Sequence, residues 1–422
     1  MSIKFFKTDS KAGRMVLIAT GVFSIAATVF AAKWSFAHTV AKSPDSTEVA
    51  ALAVKLGPDD PQTHYAAAVL YEKTFAPEDM EKALSEFETS AALSPNNYFL
   101  WLSLGKARER TGDQTGAESA LRKALELAPN YSNVQWTLGN ALLRQGKTGE
   151  GFTEIRKAVS GDPAFTNAAA TTAWQLLDGD MMQVRDAIGD STRLNSAIAI
   201  LLAGQKRFDE AFEIWNGLPA DEKKTTLKEP GETLYRQLAE AKKYRFARRV
   251  TAQTGHAENY GDLIGQISNG GFEDVVKTQN AGIFDWRIAD GSGPRIGPTE
   301  GQKHSGNYSL LISFGAGGKD VRQISQTVAV EPGKSYSFEG FYRADLKTAA
   351  MFKWEIANAV DGKVLAATNA LASSTDWTAL RAEFAIPENI DGVIIRLIQE
   401  NCAAACQVSG NLWFDDFSLK LK

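Results

Sequence analysis

The sequence predicts a multidomain protein of the α-then-β class, with one N-terminal transmembrane helix, an α-solenoid of helical repeats and a C-terminal antiparallel β-sandwich or jelly roll. Three observations predict it. Met15 to Ala32 form an apolar run of 18 residues without a charge. Pro61, Pro95, Pro129 and Pro163 follow one another at a step of 34 residues, a helical-hairpin period. From Ile267 onward that period gives way to short alternating stretches separated by Gly, Pro and Asp, the pattern of hairpin-linked strands. These signals set the expected boundaries: a basic cytoplasmic N-terminus at 1–14, a membrane segment at 15–36, a linker with a short helix at 37–60, repeats at 61–256, a linker at 257–266 and the sandwich at 267–422.

The apolar run is long enough to cross a hydrocarbon core of about 30 Å at about 1.5 Å per helical residue. Lys4, Lys7, Lys11 and Arg14 precede it against a single Asp9, which keeps the N-terminus in the cytoplasm and sends the rest to the far side. Ser35-Phe36-Ala37 also offers the small residues of a signal-peptidase site, so a cleaved signal is the rival to an uncleaved anchor. Either way the bulk of the chain is exported, which in a bacterium means the periplasm or the cell surface. Ser46 to Leu56 read as the short helix that leads into the first repeat.

Between the prolines, five columns recur at the 34-residue step: Leu70, Leu104, Leu138; Tyr71, Gly105, Gly139; Ala83, Ala117, Gly151; Phe87, Leu121, Ile155; and Ser90, Ala124, Ala158. Small residues fall where two helices cross, and each proline is expected to end a second helix by removing a donor and clashing with the turn before it. Trp101-Leu102-Ser103-Leu104-Gly105, followed by Ala117, Leu121, Ala124 and Pro129, resembles a tetratricopeptide repeat. That resemblance implies a scaffold that docks proteins and carries no chemistry of its own. After Pro163 the pattern degrades into further helix pairs at Asn167 to Leu177, Leu194 to Leu202 with Phe208 to Leu218, and Glu232 to Tyr244 with Phe246 to Thr254. In the family the inner surface takes partner peptides, and here it is expected to carry Phe99, Lys106, Arg110, Trp136, Asn140, Arg144 and Trp174, the aromatic and Arg mixture of interface hot spots. The carboxylate clamp of some family members is not carried over, because Ala68 and Glu72 stand at its positions.

The C-terminal region offers seven strand candidates, at Tyr308–Phe314, Ile324–Val330, Ser335–Arg343, Phe352–Ala359, Thr378–Ile386, Gly392–Gln399 and Leu412–Leu421. Asn269-Gly270-Gly271-Phe272-Glu273, Trp286, His304-Ser305-Gly306-Asn307-Tyr308, Pro332-Gly333-Lys334-Ser335-Tyr336, Trp377 and Trp413-Phe414-Asp415-Asp416-Phe417-Ser418-Leu419 follow in order and resemble the carbohydrate-binding module superfamily that includes families 4 and 9. The resemblance implies a structural Ca²⁺ that ties the first strand to the last, with Glu273 and Asp415 as metal ligands beside carbonyls near Gly271 and the His304–Ser309 turn. Strict alternation puts Asp415 on the face of Phe417 and Leu419, pointing inward at the rim. Trp286 and Trp377 match structural tryptophans of the superfamily.

Alternation along Tyr336 to Arg343 assigns Tyr336, Phe338 and Tyr342 to the core and Glu339, Phe341 and Arg343 to the open side. With Lys353, Glu355 and Arg396 from neighbouring strands these form the expected ligand-binding face: an aromatic plate for sugar C–H groups and paired donors and acceptors for hydroxyls. The Arg and Lys content suits an acidic polysaccharide. Cys402 and Cys406, the two cysteines, read as a local disulfide in an oxidising compartment, since no His stands near them to complete a zinc site.

Net charge −4 argues against non-specific nucleic-acid binding, which needs a basic surface. No Gly-x-Ser-x-Gly, His-Glu-x-x-His or phosphate loop occurs, and neither half leaves a segment free to build a catalytic cleft. The expectation is an exported, membrane-anchored, non-catalytic adaptor that docks a protein partner through its repeats and holds carbohydrate through its sandwich. The rival is a pure protein-assembly scaffold whose sandwich binds no sugar. An open face around Phe341, Arg343 and Lys353 favours the first.

Overall fold

The computed structural model describes residues 10–42, 46–255, 264–277, 279–318, 322–400 and 407–422. Cys402 and Cys406, with the disulfide expected between them, lie outside the described residues. Contacts divide the chain into two compact units, Met1–Asp190 and Ser191–Lys422.

The first unit is all helical: α1 (Lys11–Lys42), α2 (Thr47–Leu56), α3 (Pro61–Lys73), α4 (Pro77–Leu93), α5 (Tyr98–Arg110), α6 (Gln114–Leu127), α7 (Ser132–Arg144), α8 (Thr148–Gly161), α9 (Thr166–Leu176) and α10 (Met181–Ile188). Asp60, Asn97, Asp113 and Asp180 accept backbone N–H bonds at the starts of α3, α5, α6 and α10, satisfying donors that have no intrahelical partner. The small-residue columns sit at close crossings. A Cβ on Gly105 would come within 2.6 Å of Leu121, and one on Gly139 within 2.7 Å of Ile155 and 2.9 Å of the Gly151 carbonyl.

Pro95 and Pro129 lie two residues beyond a helix end, as expected, but Pro61 does not end a helix. It is the first residue of α3, where its missing N–H costs nothing. The proline carbonyls are used as well: Ser90 Oγ donates to Pro61 O at 2.7 Å, Trp101 Nε1 to Pro95 O at 2.8 Å and Gln135 Nε2 to Pro129 O at 2.7 Å, which ties each repeat to its own entry turn.

α1 is long and apolar enough to cross a membrane, and its most apolar 18-residue window is wholly unburied within the chain. Its last turns behave differently. Ala37 and Ala41 are buried, and His38 Nδ1 lies 2.9 Å from Asp60 Oδ2, the carboxylate that also caps α3.

The second unit opens with α11 (Thr192–Gly204), α12 (Phe208–Asn216), α13 (Ala220–Lys224), α14 (Lys228–Glu240) and α15 (Tyr244–Gln253). It continues with β1 (Arg287–Ile288), β2 (Arg295–Thr299), β3 (Ser309–Gly318), β4 (Ile324–Ala329), β5 (Ser335–Ala344), β6 (Met351–Asn358), β7 (Val364–Ala367), β8 (Ser374–Ala385), β9 (Gly392–Glu400) and β10 (Val408–Leu421). Two five-stranded antiparallel sheets, β1-β4-β9-β6-β7 and β2-β3-β10-β5-β8, enclose one core. Phe417 stands at its centre, with ring contacts to Phe272, Trp286, Phe338, Trp354 and Phe414.

Helices and strands of this unit are joined by more than chain continuity. Tyr244 Oη donates to Ala359 O at 3.1 Å, and a Cβ on Gly392 would stand 2.1 Å from the Tyr244 ring, so only glycine leaves room there. Asp391 Oδ2, in the turn before β9, accepts the Arg245 N–H at 3.2 Å and caps a helix start that has no side-chain cap of its own. Arg245 Nη1 reaches Glu331 at 2.5 Å and Arg248 Nη2 reaches Ser268 Oγ at 3.1 Å. The contact boundary thus falls after Asp190, while the change from helix to strand falls after Gln253.

Candidate functional site

The six residues expected to share one ligand face occupy two. Glu339, Phe341 and Arg343 lie on β5, whose sheet neighbours are β10 and β8; Lys353 and Glu355 lie on β6 and Arg396 on β9, in the opposite sheet. The expected juxtaposition fails because β6 follows β5 in the chain but crosses to the other sheet.

On the β6–β9 side the charges close on themselves. Glu355 is buried and accepts from Arg396 Nη2 at 3.0 Å and Nε at 3.2 Å. Lys353 pairs with Glu400, which raises its pKa. This face brings no aromatic plate to the charged pair: the outward positions beside Glu355 are Lys353 and Ala357, and Phe352, Trp354 and Ile356 point into the core.

The β5 side is different. Tyr336, Phe338 and Tyr342 are core residues, as alternation predicts, and Glu339, Phe341 and Arg343 are partly exposed. Glu339 and Phe341 line a groove of about 670 Å³ with Gly271, Arg381, Asp416 and Lys420. Glu339 pairs with Lys420, which lowers its pKa. Phe341 is not a free plate. The His304 ring stacks on it, centroids 3.7 Å apart and planes 13° from parallel, and Trp377 meets His304 edge-on at 5.8 Å. Two positions along the strand, Arg343 Nη1 donates to Gln302 Oε1 at 2.8 Å while its guanidinium lies 5.9 Å from the Trp413 ring centre. Trp286 is core, whereas Trp377 is partly exposed and makes its ring contact with His304 of the 304–308 turn.

His304 is held in place from below. Glu273 and Asp415, far apart in sequence, converge on the turn that carries it. Glu273 Oε1 accepts from Asn307 N at 2.8 Å and Tyr308 N at 3.1 Å, bonds that lower its pKa. Asp415 Oδ2 accepts from His304 N at 2.8 Å and Ser305 N at 3.1 Å, and Oδ1 from Asp416 N at 2.8 Å. Burial raises the Asp415 pKa against those three bonds, and neighbouring Asp416 adds to the rise. Asp416 in turn holds His304 Nδ1 at 2.6 Å and Ser305 Oγ at 2.7 Å. Gly306 has φ +60°, and a Cβ there would strike Glu273 Oε1 at 2.0 Å, so the turn requires glycine.

Asp415 does not share the face of Phe417. A bulge between Asp415 and Ser418, with Asp416 at φ +51°, inserts a residue, so Phe414 and Phe417 both point inward and Asp415 pairs with outward-facing Phe341. It is fully buried because the 304–308 turn covers it. The hard oxygens of Glu273, Asp415 and Asp416 suit calcium, and a Cβ on Gly271 would stand 3.7 to 3.9 Å from atoms of all three. Among the described residues, however, no three His, Cys, Asp or Glu side chains are grouped to hold an ion, and backbone N–H groups take up the inward oxygens.

In the repeat unit, Phe99 is exposed and tilts against Tyr65 at 5.3 Å, Lys106 is half-buried with its pKa lowered by burial and by Arg110, and Trp136 stacks on Phe165 at 5.0 Å. Asn140 Nδ2 donates to Trp136 O in its own helix at 2.8 Å. Arg110 and Arg144 are pairing residues that tie adjacent repeats, to Glu72 and Glu109 respectively. Trp174, expected on the inner surface, is 7% exposed and packs under Gly179 at the turn into α10, so it belongs to the core. Tyr65, which the repeat pattern does not single out, extends the aromatic row through Phe99.

Residues 265–403 match the family model for a carbohydrate binding domain of families 4 and 9, and residues 100–131 match a tetratricopeptide repeat. The chain thus carries a match to a tetratricopeptide repeat ahead of a match to a carbohydrate binding domain. No curated protein matches it. Similar solved structures include a family 4 carbohydrate-binding module (20% identity, 37% of this chain and 99% of that one, TM-score 0.29). They also include TmCBM61 in complex with beta-1,4-galactotriose (15%, 37% and 97%, 0.27) and PilF of Pseudomonas aeruginosa (19%, 50% and 97%, 0.32).

Proposed function

We propose that this chain is an exported, membrane-anchored, non-catalytic adaptor that holds an envelope or extracellular polysaccharide through its sandwich and a protein partner through its repeats. The observation that carries the reading is the union of the two domains in one chain, neither of which is catalytic in its family. The groove on the β5 face supports the carbohydrate half: within their unit the helices dock on β4 and the turns beside it, away from the surface lined by Glu339, Phe341, Arg381 and Lys420. Phe99, Lys106, Trp136 and Asn140 remain the candidate partner contacts, since Arg110 and Arg144 are spent on ion pairs.

Retention of the anchor is supported by the burial of Ala37 and by the bond from His38 to the Asp60 cap, because a cut after Ala37 would sever α1 within turns that pack on the first repeat. The basic residues ahead of the span support periplasmic placement of the bulk.

Calcium at Glu273 and Asp415 belongs to the same reading. The ion would neutralise the carboxylates that clasp the 304–308 turn. Chelation should then lower the melting temperature of the Ser191–Lys422 unit, and an unchanged melting temperature would remove the metal from the account. The carbohydrate reading is tested by retention of the full chain, in detergent micelles, on gels cast with neutral and acidic polysaccharides. Retardation by at least one supports it, and free migration through all of them refutes it.

A further inference from the structure

We propose that Arg343 is the anchor of a subsite for a sugar bearing a carboxylate, a uronate, on the outer face of the β5 sheet. This rests on the carbohydrate reading above and narrows its ligand class. On the flanking strands β8 and β10 and just past the end of β10, the basic side chains are matched by acids: Lys420 and Arg381 by Glu339, and Lys422 by Glu383. Across the sandwich, Arg396 and Lys353 are matched by Glu355 and Glu400. Arg343 makes no ion pair among the described residues. Its polar partner is the neutral Gln302 amide, which orients the guanidinium without compensating its charge.

The setting fits a carboxylated ring. A guanidinium has five donors in a planar fork; Gln302 takes one and the Trp413 indole supports the group, leaving the fork available for the two parallel bonds a carboxylate accepts. Phe341 stands two residues away on the same face, about 7 Å along the strand, and carries the His304 ring with Trp377 beside it. A pyranose seated there has the His304 ring that covers Phe341, with Trp377 beside it, for its C–H face and the Arg343 guanidinium for its acid. The paired charges of the β6–β9 face offer no such cation.

The test uses the full chain in micelles and calorimetry with oligomers of galacturonate, glucuronate and mannuronate, each beside its methyl ester, which keeps the ring and removes the charge. The expected result is binding of at least one acid oligomer, about tenfold or more weaker for its ester, with Arg343→Gln bringing the acid down to the level of the ester. Should Arg343→Gln disturb the fold through Trp413, salt provides the second lever on the unaltered protein: near-molar salt should weaken the acid oligomer and spare the ester. Equal affinity for acid and ester, acid binding untouched by Arg343→Gln, or binding of sulfated sugars alone overturns the proposal. Binding of neutral glycans alone sinks this inference and leaves the carbohydrate reading standing; binding of no glycan by folded protein ends both.

Discussion

His64 shows how single side chains set the stability of the repeat unit. It is buried, with Nδ1 2.5 Å from Glu86 Oε2 and Nε2 2.8 Å from Pro58 O, and the bond to Glu86 raises its pKa above the usual 6.5. A group held more basic in the folded state adds stability that is complete below about 6.5 and is lost as pH rises through the raised value. The melting temperature of the repeat unit should therefore fall over that window, and Glu86→Gln should flatten the fall, as scanning calorimetry at a series of pH values would show. In the sandwich, Gly340 faces the central Phe417: a Cβ there would stand 2.2 Å from the ring. Gly340→Ala should cost about 1–3 kcal/mol by overpacking, measured by denaturant unfolding.

The docking of α15 is the feature of element scale with the clearest consequence. Tyr244 is buried over Gly392, Arg245 is capped by Asp391 and paired with Glu331, and all three contacts are lost if the sandwich is cut from its helices. A fragment spanning 191–422 should melt in one sharp transition, and one spanning 265–422 should melt lower and less cooperatively. Equal melting temperatures would show that the helices contribute nothing to the sandwich.

At this scale it is also plain why some elements were legible in the sequence and others were not. The seven strands read from alternation are β3, β4, β5, β6, β8, β9 and β10. Those missed, β1, β2 and β7, are all sheet edges, with few residues or with Gly297-Pro298 within them, where alternation is weakest. Helix α14 begins before Pro230 because proline fits a first turn, and Tyr244 opens α15 where the periodicity attached it to the helix before. Asp415 departs from strict alternation with Phe417 because a bulge shifts the count by one. The six expected ligand-face residues divide between sheets, because a side-chain period fixes a face and does not fix which sheet a strand joins. His304, Gln302 and Trp413 reach the Phe341 and Arg343 surface through loop closure and cross-strand pairing, for which periodicity carries no signal.

For the molecule as a whole, the anchor and the ligand face are the claims that matter. If α1 is retained, the protein recovered from membranes has the mass of the uncut chain, and His38→Ala lowers the stability of the first repeat without releasing the protein. A mature chain beginning at His38 would contradict that. The central claim is that the sandwich binds carbohydrate, and the most direct measurement is a titration of the full chain with a panel of acidic and neutral polysaccharides, followed by tryptophan fluorescence. The account predicts saturable quenching by at least one acidic polysaccharide, lost in Trp377→Ala protein that remains folded. Absence of any response from folded wild-type protein across the panel would contradict it and leave the chain a protein scaffold.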